Sequence, residues 1–146
     1  MSTITSYSPF KWIHMQYKTD LKEKFTVVTF LDASLTSNSV PEINELTQKI
    51  LSQSPKNLVL NCGQVKQWDA SIIEVLGNAQ QQFYDNNASF VICALSDTLQ
   101  NSIDNSEYAE MMNLTPTETE AWDIVQMEEI ERELLDSDDM EFSAEI

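Results

Sequence analysis

A chain of 146 residues can bury a core of its own in one domain, and its 24 acidic residues against eight basic ones give a net charge of −16. With Arg132 as the sole arginine, the balance argues against holding a phosphate backbone or adhering to an anionic membrane. No apolar run approaches the ~20 residues needed to span a bilayer, and the start MSTITSYSPFKWIHM lacks the basic opening and long apolar centre of a signal peptide. The chain therefore reads as cytoplasmic, with no nucleic-acid partner and no direct membrane insertion.

Residues 1–9 are rich in Ser and Thr and read as a flexible N-terminus. Residues 10–17, FKWIHMQY, alternate imperfectly and predict a first strand, followed by the polar connector KTDLKEK. Residues 25–31, FTVVTFL, predict a second strand antiparallel to it. Ser39 with Glu42 suggests a capping box, Pro41 fits a first turn, and Ile43, Leu46, Ile50 and Leu51 trace one face of a helix over 40–53.

The stretch that organises the chain is 56–76, KNLVLNCGQVKQWDASIIEVL. Leu58, Val59 and Leu60 are the continuous branched run of a strand covered on both faces, and Ile72, Ile73, Val75 and Leu76 recur at helical spacing. Ser71 stands three residues before Glu74, so a capping box starts the helix near Ser71 and carries it to about residue 85. Its N-terminus, with free N–H groups and the positive end of the helix dipole, would stand at the carboxyl edge of a parallel sheet.

Asn86 and Asn87 suit a turn before another buried strand at 90–95, FVICAL. Ser96 and Asp97 open a weaker helix to about residue 106, and residues 111–114 suggest a short edge strand. Thr115, Pro116 and Glu118 predict a third capping box for a last helix whose stripe is Trp122, Val125, Ile130, Leu134 and Leu135. Residues 136–146, DSDDMEFSAEI, form an acidic flexible tail.

Residues 118–146 hold twelve Asp or Glu and one Arg, a net −11, which leaves −5 for residues 1–117. This concentration fits either a solvated helix face or, through Met140 and Phe142, a docking segment for a basic partner. Candidate catalytic groups are scarce. His14 is the only histidine, Gly63 and Gly77 are too few for a phosphate-cradling loop, and no hydrolase, metalloprotease or Cys/His metal signature occurs. Cys62 and Cys93 fall in predicted strands, where they read as small buried hydrophobes, with a redox pair across adjacent strands as the alternative. No cofactor is implied and an enzyme of ordinary type is not expected.

Two strands followed by α, β, α, β, α, β, α, with an Asp-x-Ser connector opening the second helix, resemble the STAS family, the domain of anti-sigma factor antagonists. The likeness covers residues 10–135 and is strongest from Lys56 to Leu95, through LVLN and on to the strand FVICALS, where Ser96 opens the next helix. It implies an α/β fold with a mixed four- to five-stranded sheet and about four helices. It also implies a motif like Asp-Ser-Ser-Gly whose first serine is phosphorylated by a partner kinase that doubles as the anti-sigma factor. Here the motif is Asp69, Ala70, Ser71, Ile72. Alanine offers a kinase no oxygen, and Glu74 places negative charge where phosphate would sit. Ser71 is then a plain N-cap or a displaced phosphosite.

The leading expectation is a non-enzymatic protein-interaction module without the standard phosphorylation switch. Its partner-binding residues are Gln67, Trp68, Asp69, Ala70, Ser71, Glu74 and Ser96, with Trp68 either core packing or a hot spot. The expected partner is an anti-sigma or kinase-like regulator, or a subunit of a STAS-containing assembly. The alternatives are a small-molecule or nucleotide sensor and a structural role in a homo-oligomer such as a homodimer.

Overall fold

The computed structural model describes residues 15–145, with side chains through residue 135. The expectations for residues 1–14, His14 among them, and for the side chains of Met140 and Phe142 lie outside the described residues. The chain order is β1 Tyr17–Leu21, β2 Thr26–Phe30, β3 Ser34–Leu35, a 3-10 turn at Ser37–Ser39, α1 Val40–Leu51, β4 Leu58–Asn61 and β5 Gln67–Trp68. It continues with α2 Ala70–Asp85, β6 Phe90–Cys93, α3 Asp97–Asp104, β7 Leu114–Thr115 and α4 Glu118–Glu145. The main sheet has the order β1-β2-β4-β6-β7, with β1 antiparallel to β2 and all other pairs parallel. The expected mixed five-stranded sheet with four helices is therefore present.

Period-2 alternation divides the core. Val28, Phe30, Leu58, Leu60, Phe90 and Ile92 face a large cluster with Ile43, Leu46, Ile50, Ile72, Leu76 and Phe83 of α1 and α2. Val27, Val59, Val91 and Cys93 face the other way, onto Ala121 and Val125 of α4. The run LVL is thus covered on both faces. Within α2, Gly77 packs on Tyr108 so closely that a Cβ at 77 would lie 2.3 Å from Tyr108 Cδ1.

Several local expectations need correction. The first described strand, Tyr17–Leu21, starts on the last residue of the expected strand and runs through what reads as a connector, pairing from Tyr17↔Phe30 to Leu21↔Thr26. As an edge strand with Lys18, Asp20 and Leu21 exposed, it is specified by hairpin pairing with β2 rather than by its own apolar content. Ser39 makes no side-chain cap, because it ends the 3-10 turn with a helical φ of −84° and ψ of −12° rather than the extended backbone of a cap. The Glu42 carboxylate, the other half of the expected box, accepts from the Met15 N–H at 2.5 Å. The last helix is capped by Thr117, whose hydroxyl accepts from the Glu120 N–H at 3.2 Å, two residues later than the Thr115 box predicts. The edge strand is likewise shifted to Leu114–Thr115.

The stripe on α4 is also displaced. Ala121 and Val125 are its fully buried apolar residues, whereas Trp122, Ile130, Leu134 and Leu135 are exposed. Polar anchors hold the same inner side: Asn57 Nδ2 donates to Glu129 Oε2 at 2.7 Å and Ser89 Oγ donates to Glu128 Oε1 at 2.6 Å. Arg132 reaches Ser89 Oγ at 3.3 Å. The α4 backbone stays helical to Glu145.

Candidate functional site

Because β2, β4, β6 and β7 run parallel, their carboxyl ends and the loops that leave them gather at one edge of the sheet. The loop after β2 and the loop before α2 are joined by a small parallel sheet, Ser34↔Gln67 and Leu35↔Trp68. Two backbone bonds continue the join, from Lys66 N–H to Ala33 O at 2.7 Å and from Asp69 N–H to Leu35 O at 3.1 Å. Two-residue strands carry no periodicity, so nothing in the sequence announces them.

Asp69 is the N-cap of α2 by its backbone, with φ −80° and ψ 161°, yet its side chain makes no cap. The carboxylate instead accepts from the Ser37 N–H at 3.0 Å and pins the 3-10 turn to the start of the helix. Thr36 Oγ1 closes that turn by accepting from the Asn38 N–H at 3.2 Å. The helix therefore starts at Ala70, and Ser71 falls inside its first turn rather than capping it. Ser71 Oγ is buried there without a hydrogen-bond partner. The capping box with Glu74 is thereby overturned, since the tertiary bond of Asp69 to Ser37 sets the helix start two residues before the expected cap.

The other predicted residues separate by position. Gln67, Asp69, Ala70 and Glu74 are exposed around the helix entrance. Trp68 is half-buried against the main core, and its Nε1–H donates to Ser102 Oγ of α3 at 3.0 Å, tying β5 to that helix. Ser96 is exposed and caps α3, accepting from the Leu99 N–H at 3.2 Å.

Sequence reasoning missed a third group at the same edge. Asn61 Oδ1 accepts from the Gly63 N–H at 2.8 Å, while Asn61 Nδ2 donates to Glu118 Oε2 of α4 at 2.8 Å. Close by, Ala94 holds a left-handed φ of 66°. The SNS triplet of the 3-10 turn and the terminal Asn of LVLN are turn-type residues that could have signalled both loops.

Asp32, Asp69, Glu74 and Asp97 make the edge predominantly acidic, with Lys66 as a nearby cation. The hollow beside it, lined by Met15, Asp32, Ser34, Thr36, Asn38, Ser39 and Glu42, has a volume of about 210 Å³, below the ~300–1,000 Å³ of ordinary ligand pockets. Among the described residues no group of three or more His, Cys, Asp or Glu side chains could hold a metal ion, and no helix is long and apolar enough to cross a membrane. Burial pushes the thiol of Cys62 up, and burial with the nearby Glu118 charge pushes that of Cys93 up to about 12. Both are inert buried groups in the free state.

A family model described as STAS domain matches residues 17–121. The chain belongs to the STAS domain family. Four solved structures share the fold of this STAS domain. An anti-sigma-factor antagonist (STAS) domain protein from Planctomyces limnophilus aligns with a TM-score of 0.63 at 16% identity, covering 75% of this chain and 95% of that one. A putative anti-sigma factor antagonist from Thermotoga maritima gives 0.65 at 12%, covering 75% and 94%. The anti-sigma factor antagonist SpoIIAA, a Bacillus cell fate determinant, gives 0.62 at 16% in its unphosphorylated form and 0.58 at 17% in its phosphorylated form. Those two alignments each cover 75% of this chain, and 96% and 98% of SpoIIAA. No curated protein matches significantly.

Proposed function

We propose that this STAS domain is a non-enzymatic, cytoplasmic protein-docking module, resembling anti-sigma factor antagonists, whose carboxyl-edge surface works without a phosphoserine switch. The observation that carries the reading is the entrance of α2. Its first residue, Ala70, has no oxygen for a kinase, and the neighbouring Ser71 Oγ is buried beneath the helix start. Phosphorylation of Ser71 would require the first turn to open.

What is left is a surface of fixed shape. Asp69 locks the 3-10 turn, β3 and β5 lock the two loops, and Trp68 locks β5 to α3. Such a surface docks a partner without reordering it, which lowers the entropic cost of association. Gln67, Glu74 and Ser96 are the exposed side chains that would make the contacts, and Asp69, Ala70 and Trp68 hold or shape the platform. An anti-sigma or kinase-like regulator, or a further subunit of a STAS-containing assembly, fits this surface. The small volume of the hollow weighs against a small-molecule site at this edge.

The test uses the full chain as bait in its native cells, with Glu74→Lys and Gln67→Glu as exposed-site variants and mass spectrometry of the bait itself. The reading expects a specific partner that both variants weaken and no phosphate at Ser71. Capture unchanged by both variants, or stoichiometric phosphate on Ser71, overturns it.

A further inference from the structure

A helix laid on a sheet ordinarily turns its large apolar side chains inward and its charges outward. In α4 the order is inverted. The inward positions are the small Ala121 and Val125, supported by polar anchors. Met127, Ile130 and Leu134 are 56%, 55% and 54% exposed. At 3.6 residues per turn these three lie within about 60° of one another, and their centre is roughly 170° from that of Ala121 and Val125. They form an apolar seam at i, i+3, i+7 pointing away from the domain.

Charge identifies what the seam accepts. The exposed Glu120, Asp123 and Glu131 lie on the same outer half of the helix, and the sole arginine of the chain is turned inward to Ser89. No cation among the described residues 118–135 therefore faces outward beside the seam. A second copy placed seam to seam would bring two sets of carboxylates within a Debye length of ~8 Å, with nothing to balance them. A partner helix with apolar residues at the same spacing, flanked by Lys and Arg, satisfies both the apolar anchors and the carboxylates.

The location is separate from the docking edge. The STAS match ends at residue 121, whereas α4 runs on to Glu145, so the seam lies on a helical continuation past the matched domain. We infer that the outer face of α4, built on Met127, Ile130 and Leu134, is a second docking surface that takes a basic amphipathic helix of a partner protein. It is independent of the edge around Asp69 and Glu74.

The test titrates the full chain into a labelled synthetic helix of about 20 residues, long enough to hold helical structure, carrying Leu at seam positions and Lys elsewhere. An otherwise identical peptide with Glu for Lys is the control. Anisotropy is expected to show binding of the Lys peptide alone, weakening as salt rises. Ile130→Ser with Leu134→Ser, which leaves every charge in place, is expected to weaken it roughly tenfold. Because both residues are exposed, the thermal unfolding of the double variant stays close to that of the parent, and Glu74→Lys leaves peptide binding intact. Three results would overturn the inference: Lys-peptide binding that the double serine variant does not change, equal binding of the Glu peptide, or a homodimer in light scattering that the double variant dissolves.

Discussion

Ser71 and Ser96 are the same residue type near the starts of two helices, and the structure assigns them opposite energetic signs. Ser96 Oγ accepts from the Leu99 N–H, so Ser96→Ala removes a cap and costs about 1 kcal/mol. Ser71 Oγ is buried with no partner inside the first turn of α2. Ser71→Ala removes an unsatisfied hydroxyl, worth about 1 kcal/mol, and replaces serine with the best helix former, worth about 0.5 kcal/mol more. The expected gain is about 1.5 kcal/mol, which for a chain of this size raises Tm by roughly 3–6 °C. Urea denaturation followed by circular dichroism, with thermal melts as a second readout, compares the two variants against the parent. If Ser71→Ala destabilises the protein as much as Ser96→Ala does, Ser71 is a cap after all and the start of α2 at Ala70 is wrong.

Two further outcomes follow from buried groups. Asn57, 3% exposed, donates to Lys24 O at 2.9 Å and to Glu129, and accepts from the Ser89 N–H at 2.7 Å, joining the β1–β2 hairpin, β6 and α4. Asn57→Ala strands a buried donor and is expected to cost about 2–4 kcal/mol in urea denaturation; a loss under about 1 kcal/mol would refute the linking role. The second concerns pH. With native thiol pKa values raised above the usual 9.0, to about 12 at Cys93, the unfolded chain releases protons first as pH rises. The stabilisation is complete below about pH 9 and is lost as pH climbs toward 12. Equilibrium unfolding across that window should show stability falling in the parent and falling less in Cys93→Ser, and equal slopes would contradict the assignment.

The sequence discloses this fold where burial imposes a period. LVL and FVIC read correctly because both faces of β4 and β6 are covered, and α1 and α2 read correctly because one face of each meets the same core. The reading fails where a tertiary partner outbids a local one. Glu42 leaves its expected box for the Met15 backbone, and Asp69 leaves its cap for Ser37. Each pairing spans more than 25 residues, beyond the reach of any motif of four. The strand at Tyr17–Leu21 is hidden because an edge strand can be polar on its open side, and β3 with β5 is too short to carry a pattern. At the candidate site the Asp69-Ala70-Ser71 signal is legible, but the burial of the Ser71 hydroxyl follows from a two-residue shift in helix start that only the fold reveals. On α4, the small Ala121 goes unnoticed among larger apolar neighbours, although with Val125 it is fully buried against the sheet.

The contact of Tyr108 with Gly77 ties two distant positions into a single heritable unit. Tyrosine can lie flat on α2 only while position 77 has no side chain, since a methyl there would overlap the ring at 2.3 Å. Glycine in mid-helix costs about 1 kcal/mol relative to alanine, so on its own it would tend to be replaced. Along a lineage, alanine at 77 becomes neutral or favourable only after the ring at 108 has been exchanged for something smaller. The order of those two changes is fixed, and reversing it passes through an intermediate that must push the segment bearing Tyr108 off the helix.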